Sequence, residues 1–199
     1  GENEIVVFEM EDTGKRNLQG LDKPILDSLG IDKNKPEKQQ RNQTGSPILE
    51  EGDILLNTTL AETNDWQQVD LPVMRTLRHF CIETLSSYTE DNQACISEVD
   101  LLDDKGQPID KTKWEVVYVS SEQADKNLGI AENLFDGDIS SFWHTDPATE
   151  PGQPHRIIVD IKEIYKISAL RFKVRKGAFL SGKVKEINVY GRPQFFLFH

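Results

Sequence analysis

From residue 52 onward, short apolar runs alternate with polar positions. DWQQVDL (65–71), RHFCIETLS (78–86), CISEVDLLD (95–103), WEVVYVSS (114–121), RIIVDI (156–161), SALRFKVR (168–175) and VKEINVYG (184–191) each read as a β-strand. Within 78–86, Phe80 and Ile82 share one face, while His79, Cys81 and Glu83 share the other. Within 168–175, Leu170, Phe172 and Val174 point inward, and Arg171, Lys173 and Arg175 point outward. RIIVDI is apolar on both faces. Asp104-Lys105-Gly106 marks a turn. Many short strands and almost no helix predict an all-β sandwich or jelly roll. Neither a glycine-rich phosphate loop nor alternating strands and helices occurs, which argues against a nucleotide-binding α/β fold.

The first 50 residues have a different character and read as an N-terminal extension. Ile5 to Phe8 is strand-like. Residues 22–30 predict a short helix, with Asp22 as cap, Pro24 in the first turn and Gly30 as the stop. The polar run 31–47 reads as a long loop or linker. PQFFLFH at the C-terminus reads as a final strand or as a plug over a core edge.

Composition narrows the function classes. The chain has 199 residues, 37% hydrophobic and 29% charged, with a formal net charge of -11. Such a charge repels nucleic-acid phosphates and anionic lipid heads, so no nucleic-acid partner is expected. No apolar stretch approaches the roughly 18–20 residues that span a bilayer. Two cysteines, Cys81 and Cys95, exclude a multi-thiolate metal site and leave either two buried thiols or one disulfide. The four histidines, His79, His144, His155 and His199, fall in no Ser-His-Asp elbow, HExxH or other hydrolase motif, and no motif places a carboxylate pair. An enzyme is therefore not expected. Asn42-Gln43-Thr44 and Asn57-Thr58-Thr59 match N-glycosylation acceptors.

FDGDISS brings Asp136, Asp138 and Ser141 into a tight turn around Gly137. Oxygen ligands so close together suit Ca²⁺, which takes about 6–8 of them. An Asx-type turn with solvated carboxylates accounts for the same residues. Residues 171–185 hold Arg171, Lys173, Arg175, Lys176, Lys183 and Lys185 with no acid among them. That stripe either favours uronic or sulphated sugars or neutralises nearby acids.

AENLFDGDISSFWHT (131–145), PHRIIVDI (154–161) and LRFKVRKGAFLSGKVKEINVYG (170–191), in this order, resemble the discoidin or coagulation factor 5/8 type C domain. They are most similar to the family 32 carbohydrate-binding modules of bacterial glycosidases. The stretch 65–102 resembles the last strands of that family, yet here it precedes the first. The resemblance therefore implies a discoidin-like, galactose-binding-domain-like β-sandwich over 51–199. It is circularly permuted, with closing strands in 51–103 and opening strands in 114–199. Two separate β units, 1–103 and 114–199, are the alternative.

The resemblance also implies chemistry. It adds Glu98, a carbonyl near Ala94 and a carbonyl from Leu134 to Asp136, Asp138 and Ser141 as ligands of a structural Ca²⁺. It maps a sugar site onto His144, Arg175 and Phe179, with Asp146 from the same loop. Trp143 reads as core. A bland role stands beside each assignment: His144 bonds within its loop, and Arg175 is a solvated strand end. The implied function is a non-catalytic module of a secreted, periplasmic or cell-surface protein that binds a glycan, anionic if the basic stripe takes part. A protein-binding or adhesion domain is the alternative.

Overall fold

The structure is a computed structural model that describes residues 41, 45–148, 152–174 and 182–199. The expected strand at 5–8 and helix at 22–30 lie outside the described residues. Seven strands occur among those described: β1 (Ile54–Thr59), β2 (Gln67–Thr84), β3 (Cys95–Asp103), β4 (Glu115–Val119), β5 (Trp143–His144), β6 (His155–Val174) and β7 (Glu186–Arg192). Short 3₁₀ turns cover Glu51–Asp53, Asp125–Asn127 and Ala131–Phe135.

The strands are all antiparallel and hydrogen-bonded into one continuous sheet, which two long strands fold into two layers. One layer runs β1, β7, the 79–84 half of β2, the 155–161 half of β6, then β4. The other runs the 67–70 end of β2, the 167–174 half of β6, β3, then β5. The all-β sandwich expected from the sequence is the fold. Strand β2, which precedes the connection at 104–113, lies between β6 and β7, which follow it.

Four of the predicted runs are halves of two longer strands. Runs 65–71 and 78–86 join in β2, and runs 156–161 and 168–175 join in β6. The register explains why the sequence looks broken there. Between the pairs Asp70↔Ala169 and Arg75↔Ile167, residues 71–74 face a single residue of β6. Between Leu77↔Tyr165 and His79↔Asp160, residues 161–164 face Arg78 alone. Each bulge bends its strand from one layer into the other, and Pro72 is tolerated because it sits in one of them.

Asp160 rivets this corner. Its carboxylate accepts the Lys162 N–H at 2.7 Å, where Lys162 adopts φ 75°. It also receives the Arg78 guanidinium at 2.9 and 3.1 Å. These contacts hold the Asp160 carboxyl below the usual carboxylate range, although burial opposes them.

A single apolar interior lies between the layers. Phe80, Ile82, Ile157 and Val159 from one layer share it with Val99, Leu101, Leu170 and Phe172 from the other. Trp143 is fully buried there, with its indole N–H on the Ser121 carbonyl at 2.9 Å.

The opposite face of the five-stranded layer carries a second, smaller cluster of Cys81, Ile158 and Phe196, edged by Leu49, Tyr118 and Tyr190. That cluster is why RIIVDI is apolar on both faces. The C-terminal residues plug it, paired with residues 46–48 through Ile48 N–H on Leu197 O at 2.8 Å and His199 N–H on Ser46 O at 3.1 Å. Cys81 and Cys95 are both buried and are not joined in a disulfide. Burial pushes the Cys81 thiol far up.

Candidate functional site

The FDG turn sits where β3 passes β5. Pairing of Cys95 with His144 and Ile96 with Trp143 brings the residues before Trp143 alongside Glu98. The 3₁₀ turn Ala131–Phe135 leads into it, and Gly137 takes φ 81°, a left-handed conformation that a side chain would strain. Asp136 accepts the Asp138 N–H at 2.9 Å, and Asp138 accepts the Ser140 N–H at 2.9 Å and its hydroxyl at 2.6 Å. Ser141 Oγ donates to Asp136 at 2.5 Å. The turn is thus an Asx-type structure in its own right.

Glu98 is the unusual member. It is 1% exposed. Its Oε2 accepts the Gly137 N–H at 3.0 Å and the Lys111 ammonium, which also reaches Asp100 at 2.6 Å and the Val99 carbonyl at 3.1 Å. Its Oε1 is buried and has no hydrogen-bond partner among the described residues. Burial pushes the carboxyl up to about 7, against the pull of Lys111 and of the Gly137 N–H. An anionic oxygen left bare in a dry place is costly.

A hard cation on the Oε1 side would satisfy that oxygen. The residues expected to hold one, the Glu98 carboxylate, the Asp136 and Asp138 oxygens and the Ser141 hydroxyl, are hard oxygen donors of the right chemical kind. Among the described residues no three His, Cys, Asp or Glu side chains converge as a metal group, so backbone carbonyls would have to complete the set. Leu134 lies buried in the preceding 3₁₀ turn. Ala94 stands four residues before Glu98, and its carbonyl accepts the Thr145 N–H at 3.0 Å.

Of the proposed ligand residues, Arg175 and Phe179 lie outside the described residues. The structure keeps His144 and Asp146 together beside the 123–129 loop but buries the first. His144 is 3% exposed, with Nδ1 at 2.5 Å from the Thr145 carbonyl, so the ring braces its loop. Gln123 N–H meets the His144 carbonyl at 2.7 Å, and His144 N–H meets the Gly129 carbonyl at 3.1 Å. A Cβ on Gly129 would lie 2.9 Å from the His144 Cβ, so only glycine allows this approach. Asp146 is half-buried. Its N–H donates to Ser121 Oγ at 2.8 Å, and its carboxylate accepts the Ala148 N–H at 2.9 Å. Lys126 and Asn127 in the facing loop both have positive φ, 52° and 59°, a costly backbone for two consecutive non-glycines.

Several neighbours escaped the sequence reading. Arg41, in a run read as linker, binds Glu122 at 2.7 Å and Glu132 at 2.5 Å. Glu122 in turn accepts the Ala131 N–H at 2.9 Å, which ties the 3₁₀ turn to the loop. No local pattern marks Arg41 for this. The described part of the basic stripe is largely engaged already. Arg171 stacks over Trp66 at 4.8 Å, Lys185 lies over Tyr88 at 5.5 Å, and Lys173, only 6% exposed, donates to the Asn64 carbonyl.

Comparison with known sequences bears on this arrangement. Residues 116–194 match the F5/8 type C domain. Over those residues the chain is similar to that family. Domains of the F5/8 type C family are generally non-catalytic binding modules whose partners are carbohydrates or proteins. A protein described as "Sialidase" from Micromonospora viridifaciens is 33% identical over 84 residues, which is 41% of this chain and 13% of the sialidase. The chain thus covers a small part of that relative. The F5/8 type C segment supplies β4 to β7 and the FDG turn, while β1 to β3 come from residues before the match. Among the described residues no helix is long and apolar enough to cross a membrane.

Proposed function

We propose that the chain is a glycan-binding module of a secreted or surface protein. It would hold sugar at the loop rim formed by 123–129 and 144–148, with Asp146 and, on the sequence resemblance, Arg175 and Phe179 as contacts, and with His144 bracing the rim. The observation that carries this reading is the 33% identity with a stretch amounting to 13% of a sialidase. So small a fraction of a glycan-processing enzyme, in a family of binding modules, suits an accessory that holds substrate. The fold supports it, since the loop 123–129 is tied to His144 by backbone hydrogen bonds with Gln123 and Gly129. We read 51–199 as one module with permuted strand order. The place of β2 between β6 and β7 supports that reading.

Ca²⁺ belongs to the same proposal as a structural ion. It would be held by Glu98, Asp136, Asp138 and Ser141, and would offset the buried negative charge of Glu98.

A glycan array probed with the wild type and with Asp146→Ala, Arg175→Ala and Phe179→Ala tests the site. The expected result is saccharide binding that at least two of the three variants lose. An array without signal, or binding unchanged in all three, overturns the assignment.

A further inference from the structure

His79 lies on β2 at the corner where the strand changes layers, 2% exposed beneath the C-terminal residues. Its Nδ1 accepts the Phe196 N–H at 3.2 Å. That nitrogen therefore carries no proton, and the ring hydrogen is on Nε2. Among the described residues Nε2 has no hydrogen-bond partner, and Asp160 Oδ2 stands 3.8 Å from it. Phe195 stacks flat on the imidazole at 4.3 Å with the rings 7° apart, and the Arg78 guanidinium lies 4.8 Å from the Phe195 centroid. Phe196 drops beside it onto Cys81 and Ile158.

Such a contact works in one protonation state only. Protonated imidazole has a hydrogen on both nitrogens, so Nδ1 would point a donor at the Phe196 donor. We propose that His79 is a proton-operated catch: neutral, it holds the C-terminal segment 195–199 on the outer face of the five-stranded layer; protonated, it releases it. Release uncovers Cys81, Ile158, Tyr118 and Tyr190. The pairing with residues 46–48 goes with it, since its hydrogen bonds run to Leu197 and His199.

The charged surroundings set the direction. Asp160 on β6 favours the protonated ring. Arg78 on β2, Lys162 on β6 and Arg192 on β7 oppose it, as does burial, which is the largest influence. Arg192 is itself countered by Asp53 at 3.6 Å, and Lys162 by Glu115 at 2.7 Å. The balance lowers the His79 pKa from its ordinary value of 6.5. The neutral ring is thus the folded form. Its contribution is fully present above the ordinary value and is lost as pH falls from there through the lowered one.

Amide hydrogen exchange followed by NMR, expressed as protection factors, tests the catch. Between pH 7.5 and 5.0 the amides of Phe196, His199 and Ile48 should lose protection at least tenfold. Those of Ile82 and Val159 should not change. His79→Gln keeps an acceptor but takes no proton, and should abolish the difference. A direct imidazole titration of the wild type gives the second readout, with tail opening tracking the protonation of His79. Equal protection at both pH values, opening that persists in His79→Gln, or a His79 titration that leaves the tail in place would each overturn the proposal.

Discussion

The inner face of the five-stranded layer packs Phe80, Ile82, Ile157 and Val159 against a second layer of strands. Its outer face holds Cys81 and Ile158 under the chain's own last residues. Both faces are dry, yet they are closed by different means. The inner one is closed by strands that run through both layers, so no part can lift without opening the sandwich. The outer one is closed by one segment, paired to one neighbouring stretch and held at its edge by His79, by Arg192 on the Phe195 carbonyl at 3.4 Å and by Tyr118 against Phe198. Burial alone therefore does not tell which contacts belong to the cooperative unit; the number of covalently independent covers does.

The sharpest test removes one aromatic from each face. Phe80→Ala takes a ring from the inner cluster, where it meets Trp114 edge-on at 5.5 Å, and should cost about 3–5 kcal/mol in urea unfolding. Phe196→Ala should cost less, about 1.5–3 kcal/mol, because the segment can lift away and leave no cavity. Equal losses would erase the distinction and make the tail part of the core. A smaller effect belongs to the corner both faces share. Asp160→Asn should lose about 1–2 kcal/mol at pH 7, since the amide gives Arg78 a poorer partner. The Asp160 carboxyl is held below its ordinary value of 3.8, so the penalty should be complete above that pH and shrink as pH falls through the lowered value. Chemical denaturation at pH 7 and pH 3 reads both parts.

How much of this was legible in the sequence follows from how local each cause is. Alternation in SALRFKVR gave the inward set Leu170, Phe172 and Val174 correctly, because period-two patterning needs only a half-buried strand. The two faces of 78–86 were equally readable. The joining of runs into β2 and β6 was not, since a bulge looks like a strand break. Nor was the burial of Lys173, which points outward as expected but is covered by the 60–66 loop. In the site, Trp143 and the Asx-type turn could be read from residue type and spacing. Arg41 could not, because its partners Glu122 and Glu132 are about 80–90 residues away, a distance no composition window spans.

The least effect is expected where the two buried titratable groups are played against each other. Glu98 and His79 each leave one atom without a partner, but with opposite chemistry. Among the described residues Glu98 Oε1 is an acceptor without a donor, and His79 Nε2 is a donor without an acceptor. Glu98→Gln removes the buried charge and weakens the hold on Lys111. These opposed changes should leave stability in chelator within about 1 kcal/mol of wild type, because Lys111 keeps Asp100 as counter-ion at 2.6 Å and so is not left as an unpaired buried charge. The difference should appear only with the ion. Millimolar Ca²⁺ should raise the melting temperature of the wild type by linkage and leave Glu98→Gln unmoved. The two sites share no contact, so His79→Gln should keep the whole calcium response, and Glu98→Gln should keep the acid opening of the tail. A calcium response that survives in Glu98→Gln would put the ion elsewhere and leave the bare oxygen to Lys111. Loss of the tail's pH response in Glu98→Gln would instead show that the two faces are coupled through β3 and β6.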